Sequence, residues 1–115
     1  MRKITKSYLT YKLDKCCSDL VHERDLCQKC GGFNSLQTAH IFSRSLRSVR
    51  WDLDNLLLLC AKCHFWAHKN PILFTEFVRY YYSEYKYEQL KLKATMIKKW
   101  TLCEMQELLN QLQAV

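Results

Sequence analysis

Two cysteine pairs and a group of histidines constrain this chain more than any other feature. The stretch 60–68 reads Cys-Ala-Lys-Cys-His-Phe-Trp-Ala-His, so two thiols and two imidazoles lie close together. A matching Cys-x-x-Cys pair lies upstream. Two such pairs are the ligand set that tetrahedral zinc takes in closed structural sites. The spacing therefore predicts a structural zinc site formed by Cys27, Cys30, Cys60 and Cys63.

Disulfide bonds and a mixed cysteine–histidine site are the alternatives to a four-cysteine site. The first residues are not followed by the apolar run of a secretory signal, so we expect a cytoplasmic protein, in which paired cysteines favour metal over disulfides. No segment has the ~18 apolar residues of a membrane span. In a mixed site, His64 and His68 would join one cysteine pair and leave the other unused. The match between the two pairs favours four cysteines.

Helical geometry allows His64 and His68 to form a second site, separate from the zinc. Cys63 and His64 are neighbours, so on a helix their side chains point about 100° apart. His64 and His68 are four residues apart and share one helix face. One helix can therefore contribute thiols to the zinc and both imidazoles to a second site.

Few chain-breaking residues are present, which indicates long helices. The 115 residues include 2 glycines and 1 proline, and this length suits one domain over 1–115. Apolar periodicity predicts an N-terminal helix over 5–23, and short apolar runs predict strands over 36–40 and 56–59. The metal-binding segment occupies 24–70, and the C-terminal helices occupy 71–115. These C-terminal helices are predicted over 72–84, over 86–99 and from Thr101 onward.

The positive charge of the chain favours a polyanionic partner. The formal net charge is +7, and for a small basic domain nucleic acid ranks ahead of a membrane surface. Arg44, Arg47 and Arg50 recur at every third residue of a loop over 41–51. We predict that these arginines dock DNA phosphates; the alternative is a solvated loop with no partner.

Together these features resemble an HNH endonuclease, a family whose site is a ββα-metal hairpin and helix. The resemblance spans roughly residues 20–75 and includes small phage-type HNH proteins such as the NinG recombination-protein group. It implies a ββα-metal core. With the four-cysteine zinc knuckle, the N-terminal helix and the three or so C-terminal helices predicted above, we expect an α+β fold. The residues that carry it are Cys27-x-x-Cys30-Gly31, Leu36-Gln-Thr-Ala-His40-Ile-Phe-Ser-Arg44, Arg50-Trp51-Asp52-x-Asp54-Asn55 and Leu59-Cys60-x-x-Cys63-His64.

The resemblance also implies a role for each site residue. His40 matches the general base that activates water against the scissile phosphate. Asn55 matches the residue that orients the base or the metal loop. His64 matches a ligand of a catalytic divalent ion, with His68 as a second ligand. That ion would be Mg²⁺, Mn²⁺, Ni²⁺ or Zn²⁺.

One position departs from the family pattern. Many HNH sites carry Asp or His immediately before the general base, where it binds the metal, but this chain has Ala39. The ion would then be held by the two histidines and waters, or would take Asp52 or Asp54 as a further ligand.

We therefore expect a metal-dependent endonuclease that hydrolyses DNA. A non-catalytic zinc-binding adaptor for DNA or protein is the first alternative, and Ala39 favours it. A recombination nuclease acting on branched DNA is the second. We expect no membrane partner, and a host-cell cytoplasmic location if the protein is phage-encoded. The oligomeric state is open, with a homodimer through the C-terminal helices as one form.

Overall fold

Five helices surround a two-stranded antiparallel sheet in the computed structural model, which describes residues 3–115. The elements in chain order are α1 (Lys6–His22), β1 (Leu36–His40), β2 (Leu56–Cys60), α2 (Ala61–Lys69), α3 (Pro71–Tyr82), α4 (Glu84–Thr95) and α5 (Leu102–Gln113). A 3₁₀ turn, Leu53–Asn55, leads into β2. This confirms the α+β class. No helix over residues 3–115 has the length and apolarity needed to cross a membrane.

The strand β2 is buried on both faces and separates two hydrophobic cores. Side chains alternate across a strand, so Leu56 and Leu58 face one core while Leu57 and Leu59 face the other. The first core is completed by residues of α1 and α5 and by a loop tryptophan, namely Leu9, Leu13, Cys17, Val21, Trp51, Met105, Leu109 and Leu112. The second is completed mainly by the metal-binding segment and by α2, α3 and α4. The run of four leucines is therefore a strand buried on both faces, as its composition predicts.

The outer edge of β2 is covered by the segment that leads into the first cysteine pair. Arg24 donates from its guanidinium to the Leu56 carbonyl at 2.8 Å. The Gln28 backbone N–H donates to the Leu58 carbonyl at 2.7 Å, and its side-chain Oε1 accepts from the Leu58 N–H at 2.8 Å. These bonds satisfy backbone groups that β1, on the other edge, cannot reach. They also fix the first cysteine pair against the strand that carries the second.

The helix α4 ends earlier than its apolar pattern predicts. The pattern covers 86–99, but the helix runs from Glu84 to Thr95 and the backbone at Met96 is extended. Ile97 is 92% exposed, so it does not belong to a buried face. The predicted end of the helix at residue 99 is wrong, because Ile97 and Trp100 continue the helical spacing of apolar residues although the chain has already left the helix. The segment 96–101 instead connects α4 to α5.

The helix α5 begins as predicted and buries its apolar stripe within the chain. The Thr101 side chain accepts from the Glu104 N–H and the Glu104 carboxylate accepts from the Thr101 N–H, so a capping box is present. Met105, Leu109 and Leu112 pack in the core formed with α1. A homodimer through the C-terminal helices, which the sequence leaves open, would therefore have to use a surface other than this stripe.

A carboxylate on α1 fixes the loop between the two strands. Asp14 accepts from Arg50 Nε at 3.0 Å, from a second Arg50 nitrogen at 2.7 Å and from Trp51 Nε1 at 2.8 Å. Burial raises the pKa of the Asp14 carboxyl, but these hydrogen bonds and the Arg50 charge outweigh it and lower the pKa overall. The ionised carboxylate therefore anchors α1 to the loop that follows His40.

We predict that Asp14→Ala lowers the free energy of unfolding by roughly 1.5–3 kcal/mol, because hydrogen bonds to a charged group are lost and a half-buried Arg50 loses its partner. Urea unfolding at pH 7 measures this. The carboxyl has a lower pKa in the folded protein than its ordinary value of 3.8. Its contribution is therefore complete above about pH 4 and is lost as the pH falls below that value.

Asp19→Ala is the matched control, since Asp19 lies on the same helix and forms only an exposed pair with Lys15. Its effect should stay within about 0.5 kcal/mol. Equal destabilisation by the two variants would show that Asp14 does not anchor the loop.

Candidate functional site

The four cysteines predicted to bind zinc converge in the structure. Cys60 is the last residue of β2 and caps α2, and Cys63 lies in the first turn of that helix. The four sulfur atoms lie within 4.8 Å of one another, and the sulfurs of Cys30 and Cys60 are 3.7 Å apart. A tetrahedral ion with metal–sulfur bonds of about 2.3 Å requires sulfurs about 3.8 Å apart. The cluster of Cys27, Cys30, Cys60 and Cys63 therefore has the size needed for a metal such as zinc.

The turn after the first cysteine pair is shaped by two glycines. Gly31 has φ +77°, a conformation that side chains with a Cβ rarely adopt. The Gly32 N–H donates to the Cys30 sulfur at 3.4 Å, and a Cβ at Gly32 would lie 3.3 Å from that sulfur. The Cys30 N–H donates to the Cys27 sulfur at 3.5 Å, and the second pair repeats this bond, with the Cys63 N–H donating to the Cys60 sulfur at 3.4 Å. This is the knuckle turn that the sequence predicts.

The thiols of the cluster differ in acidity. Burial raises the pKa of the Cys27 thiol, but backbone amides that point at its sulfur, including that of Cys30, lower it to about 6. Burial and the neighbouring thiols raise the pKa of Cys63 to about 12. Charge accumulates as each thiol ionises, so a cation is needed before all four become thiolates.

His40, His64 and His68 line a cleft of about 540 Å³, which we call the histidine cleft. His40 ends β1, whereas His64 and His68 lie on α2. The Nε2 atoms of His64 and His68 are 3.1 Å apart. Two imidazole nitrogens bound to one ion at ~2.0–2.1 Å would lie about 3 Å apart, so this pair is suited to hold a metal ion. The start of α2, with its cap Cys60 and with Cys63, thus faces the cysteine cluster, while His64 and His68 face the histidine cleft. The structure therefore favours the four-cysteine site over the mixed cysteine–histidine site.

Gln37 orients the histidine pair, a contact that sequence reasoning missed. Its side-chain oxygen accepts from His64 Nδ1 at 2.7 Å. The proton then lies on Nδ1, which leaves a lone pair on Nε2 facing His68. Burial lowers the pKa of His64, and the charge of His68 lowers it further, so His64 is neutral near pH 7. Period-two alternation along β1 places Gln37 and Ala39 on one face, which is the signal that could have revealed the contact.

His40 is half-buried and lies between the histidine cleft and a second, smaller cavity of about 100 Å³. Burial lowers its pKa. The positive charges of Arg44 and Arg50 lower the pKa further, while the carboxylate of Asp14 acts in the opposite direction. The imidazole is therefore neutral near pH 7 and able to accept a proton.

Asn55 lies outside the cleft and fixes the loop between the strands. Its side chain is fully buried. Its oxygen accepts from the Phe42 N–H at 2.8 Å, and its nitrogen donates to the carbonyls of Phe42 and Val49 at 3.0 and 3.2 Å. The amide thus ties both ends of the loop together just after His40.

The three loop arginines do not all line one cavity, because Arg44 and Arg50 share the small cavity beside His40 whereas Arg47 does not. Arg44 is exposed and lines the histidine cleft beside His40. Arg47 is exposed but lines a separate cleft. Arg50 is held by Asp14, so its guanidinium is already neutralised by a partner in the chain. Arg44 and Arg50 therefore lie beside His40 and Arg47 lies on a separate surface, and contact of these arginines with DNA phosphates stays a prediction.

The histidine pair has no third protein ligand within residues 3–115, where the four-cysteine cluster is the only set of three or more grouped His, Cys, Asp or Glu side chains. The sequence-based suggestion that Asp52 or Asp54 supplies one is wrong. Asp52 binds Lys93 at 2.6 Å, Asp54 pairs with Lys86 at 3.4 Å, and neither lines the cleft. Ala39 does line it, at the position where the family pattern places a ligand.

Comparison with known families agrees with this geometry. The family model described as HNH endonuclease matches residues 27–70, which contain both cysteine pairs and all three cleft histidines. The HNH resemblance is therefore confirmed for this segment, and it indicates a nuclease-type function. The match does not single out the NinG group. Neither a curated protein nor a solved structure gives a significant match to the chain.

We predict that Cys60→Ser removes the metal and with it the folded state. Binding of a structural metal by cysteines contributes apparent free energies of about 10–16 kcal/mol, which is comparable to the whole stability of a small domain. Elemental analysis should find about one metal ion per wild-type chain and almost none in the variant. A strong chelator should lower the thermal unfolding temperature of the wild type in the same way.

Cys103→Ser is the control, because Cys103 is an exposed thiol outside the cluster. It should retain the metal content and the thermal stability of the wild type. Full metal content in Cys60→Ser would disprove the four-cysteine site.

Proposed function

We propose that this protein is a metal-dependent HNH endonuclease that hydrolyses DNA phosphodiester bonds in the histidine cleft. The observation that carries the proposal is that His40 shares one cleft with the His64–His68 pair and with Arg44. These residues lie in the segment that matches the HNH endonuclease family. A neutral base, a metal-binding pair and a cation for phosphate are the groups that phosphodiester hydrolysis requires.

Three further points belong to the proposal. The ion held by the four cysteines is a structural zinc, because four thiolates leave no open position for a substrate. The chain over 1–115 acts as a single nuclease domain, which is supported by the packing of α1 and α5 on the strand that ends at Cys60. The protein works in the cytoplasm, where reducing conditions keep the thiols available for metal.

His40 is the general base in this mechanism. Its neutral imidazole accepts a proton from the water that attacks the phosphorus atom. The Arg44 guanidinium binds a non-bridging phosphate oxygen and holds the scissile bond beside His40. His64 and His68 would hold a divalent ion, Mg²⁺, Mn²⁺, Ni²⁺ or Zn²⁺, which when bound supplies positive charge to the phosphoryl and leaving oxygens.

Asn55 and Gln37 act as positioning residues. Asn55 bonds the first and last parts of the loop that carries Arg44, so it sets where that guanidinium lies relative to His40. Gln37 fixes the tautomer and ring orientation of His64. Neither side chain needs to contact DNA for these roles.

A zinc-binding adaptor without catalysis is the second candidate. The observation that favours it is Ala39, which leaves the histidine pair without a third protein ligand in the described part of the chain. An adaptor would bind DNA and one structural metal but would show no divalent-dependent nicking.

We predict that His40→Ala lowers the rate of plasmid nicking by about 10²- to 10⁴-fold, because proton transfer from the attacking water is lost. Nicking should be measured across Mg²⁺, Mn²⁺, Ni²⁺ and Zn²⁺. The affinity for DNA and the content of structural metal should not change, since His40 is not part of the cysteine cluster.

His22→Ala is the matched control, because His22 is an exposed histidine that lies outside the histidine cleft. It should nick at the wild-type rate. A wild-type rate in His40→Ala would disprove the mechanism, whereas DNA binding by a wild type that nicks with none of the four ions would favour the adaptor.

We predict that Ala39→Asp strengthens the binding of a divalent ion to the histidine pair. The new carboxylate would enter the cleft from the face of β1 that also carries Gln37. Without an ion the buried charge should destabilise the protein, so the rise in unfolding temperature on adding Mn²⁺ should exceed that of the wild type. Ala39→Asn is the control, since it places a side chain of nearly the same shape but without charge at the same position. An equal Mn²⁺ effect in both variants would contradict this placement.

A further inference from the structure

A second cleft, of about 580 Å³, lies between the start of α1, the strand-connecting loop and the segment before α5. We call it the basic cleft. The residues that line it are Lys6, Ser7, Thr10, Arg47, Lys98, Lys99, Trp100 and Met105. Four of these carry positive charge, two carry hydroxyl groups and none is acidic. This composition suits an anion with several oxygen atoms.

Most of the charge in the basic cleft is available to a ligand. Lys98 is bound to Glu104 at 2.6 Å, so its charge is partly neutralised. Lys6, Arg47 and Lys99 are exposed, and within residues 3–115 none of the three forms a salt bridge. Three exposed cations around one concave surface repel one another, and a polyanion would relieve that repulsion.

The walls of the basic cleft are fixed by bonds inside the protein. The Trp100 indole N–H donates to the Arg47 carbonyl at 3.0 Å. The same indole packs edge-on against Trp51, with ring centroids 5.4 Å apart. The loop and the segment before α5 are thereby joined, so the cations are presented on a preformed surface rather than on independent loops.

The basic cleft lies close to the histidine cleft along the chain. Arg44 lines the histidine cleft and Arg47 lines the basic cleft. Three residues span at most about 10 Å, so their backbones are no farther apart than that. The rise of duplex DNA is about 3.4 Å per nucleotide of one strand. A strand whose scissile phosphate lies at Arg44 would therefore bring phosphates a few nucleotides away within reach of the basic cleft.

We propose that the basic cleft binds the DNA backbone beside the cleavage site, with Lys6, Arg47 and Lys99 contacting phosphates and Ser7 and Thr10 donating hydroxyl hydrogen bonds. The proposal rests on the proposed nuclease function and adds a second, sequence-independent contact to it. Contacts of this kind determine affinity and register but not base preference.

The test compares two double variants that remove the same charge. Lys6→Ala/Lys99→Ala removes two cations of the basic cleft, and Lys62→Ala/Lys91→Ala removes two exposed lysines that line neither cleft. Binding of a labelled DNA duplex is measured by fluorescence anisotropy over a range of salt concentrations. The slope of log affinity against log salt should fall by about two for the basic-cleft variant and much less for the control.

A second measurement separates this proposal from the nuclease proposal. All binding is measured with no divalent ion added, so it does not depend on catalysis, and nicking is then measured separately. Weaker nicking of the Lys6→Ala/Lys99→Ala variant at low DNA concentration, with the wild-type rate at saturating DNA, supports the basic cleft as a binding site. Equal salt slopes for the two double variants would overturn it, even if the protein proves to be a nuclease. A slope that falls by two in a protein that never nicks would leave the basic cleft established and the nuclease proposal wrong.

Discussion

The convergence of four thiols is the constraint on which the remaining structure depends. The two cysteine pairs are far apart in the sequence, and one of them joins β2 to α2. Bringing their sulfurs within 4.8 Å fixes where α2 starts relative to the hairpin. Because α2 carries His64 and His68 on another face, the same constraint fixes the histidine pair relative to His40. The cysteine cluster thus determines the geometry of the histidine cleft without sharing a side chain with it.

The two proposed functional surfaces share one short loop. Its ends are joined by Asn55, its position against α1 is set by Asp14, and its outer side is held by Trp100. Each of these contacts is a hydrogen bond to a backbone or charged group, so each depends on burial or on ionisation. Such a loop holds the backbone of Arg44 and Arg47 at set positions, which would reduce the entropy lost in the proposed binding of DNA.

Local patterns in the sequence were sufficient to predict much of this fold. The cysteine spacing, the capping box at Thr101 and the run of leucines each specify an element through residues that are close together in the chain. The partners of the loop could not be predicted in this way. Nothing near Arg50 in the sequence indicates that Asp14 binds it, and the regular spacing of the arginines does not indicate that Arg47 lines a separate cleft. Pairing across distant segments depends on topology, which periodicity does not encode.

The packing of α1 against α5 has a consequence for biosynthesis. The apolar face of α1 is covered partly by Trp51 and β2 and partly by residues of α5, which are made only after nearly all the rest of the described chain. While the ribosome adds the segments before α5, the part of that face that α5 covers stays open to water and to chaperones. The cysteine and histidine segment closes through contacts that are nearer in sequence and can fold first. The order of synthesis therefore allows the metal-binding segment to fold before α1 and α5 pack together.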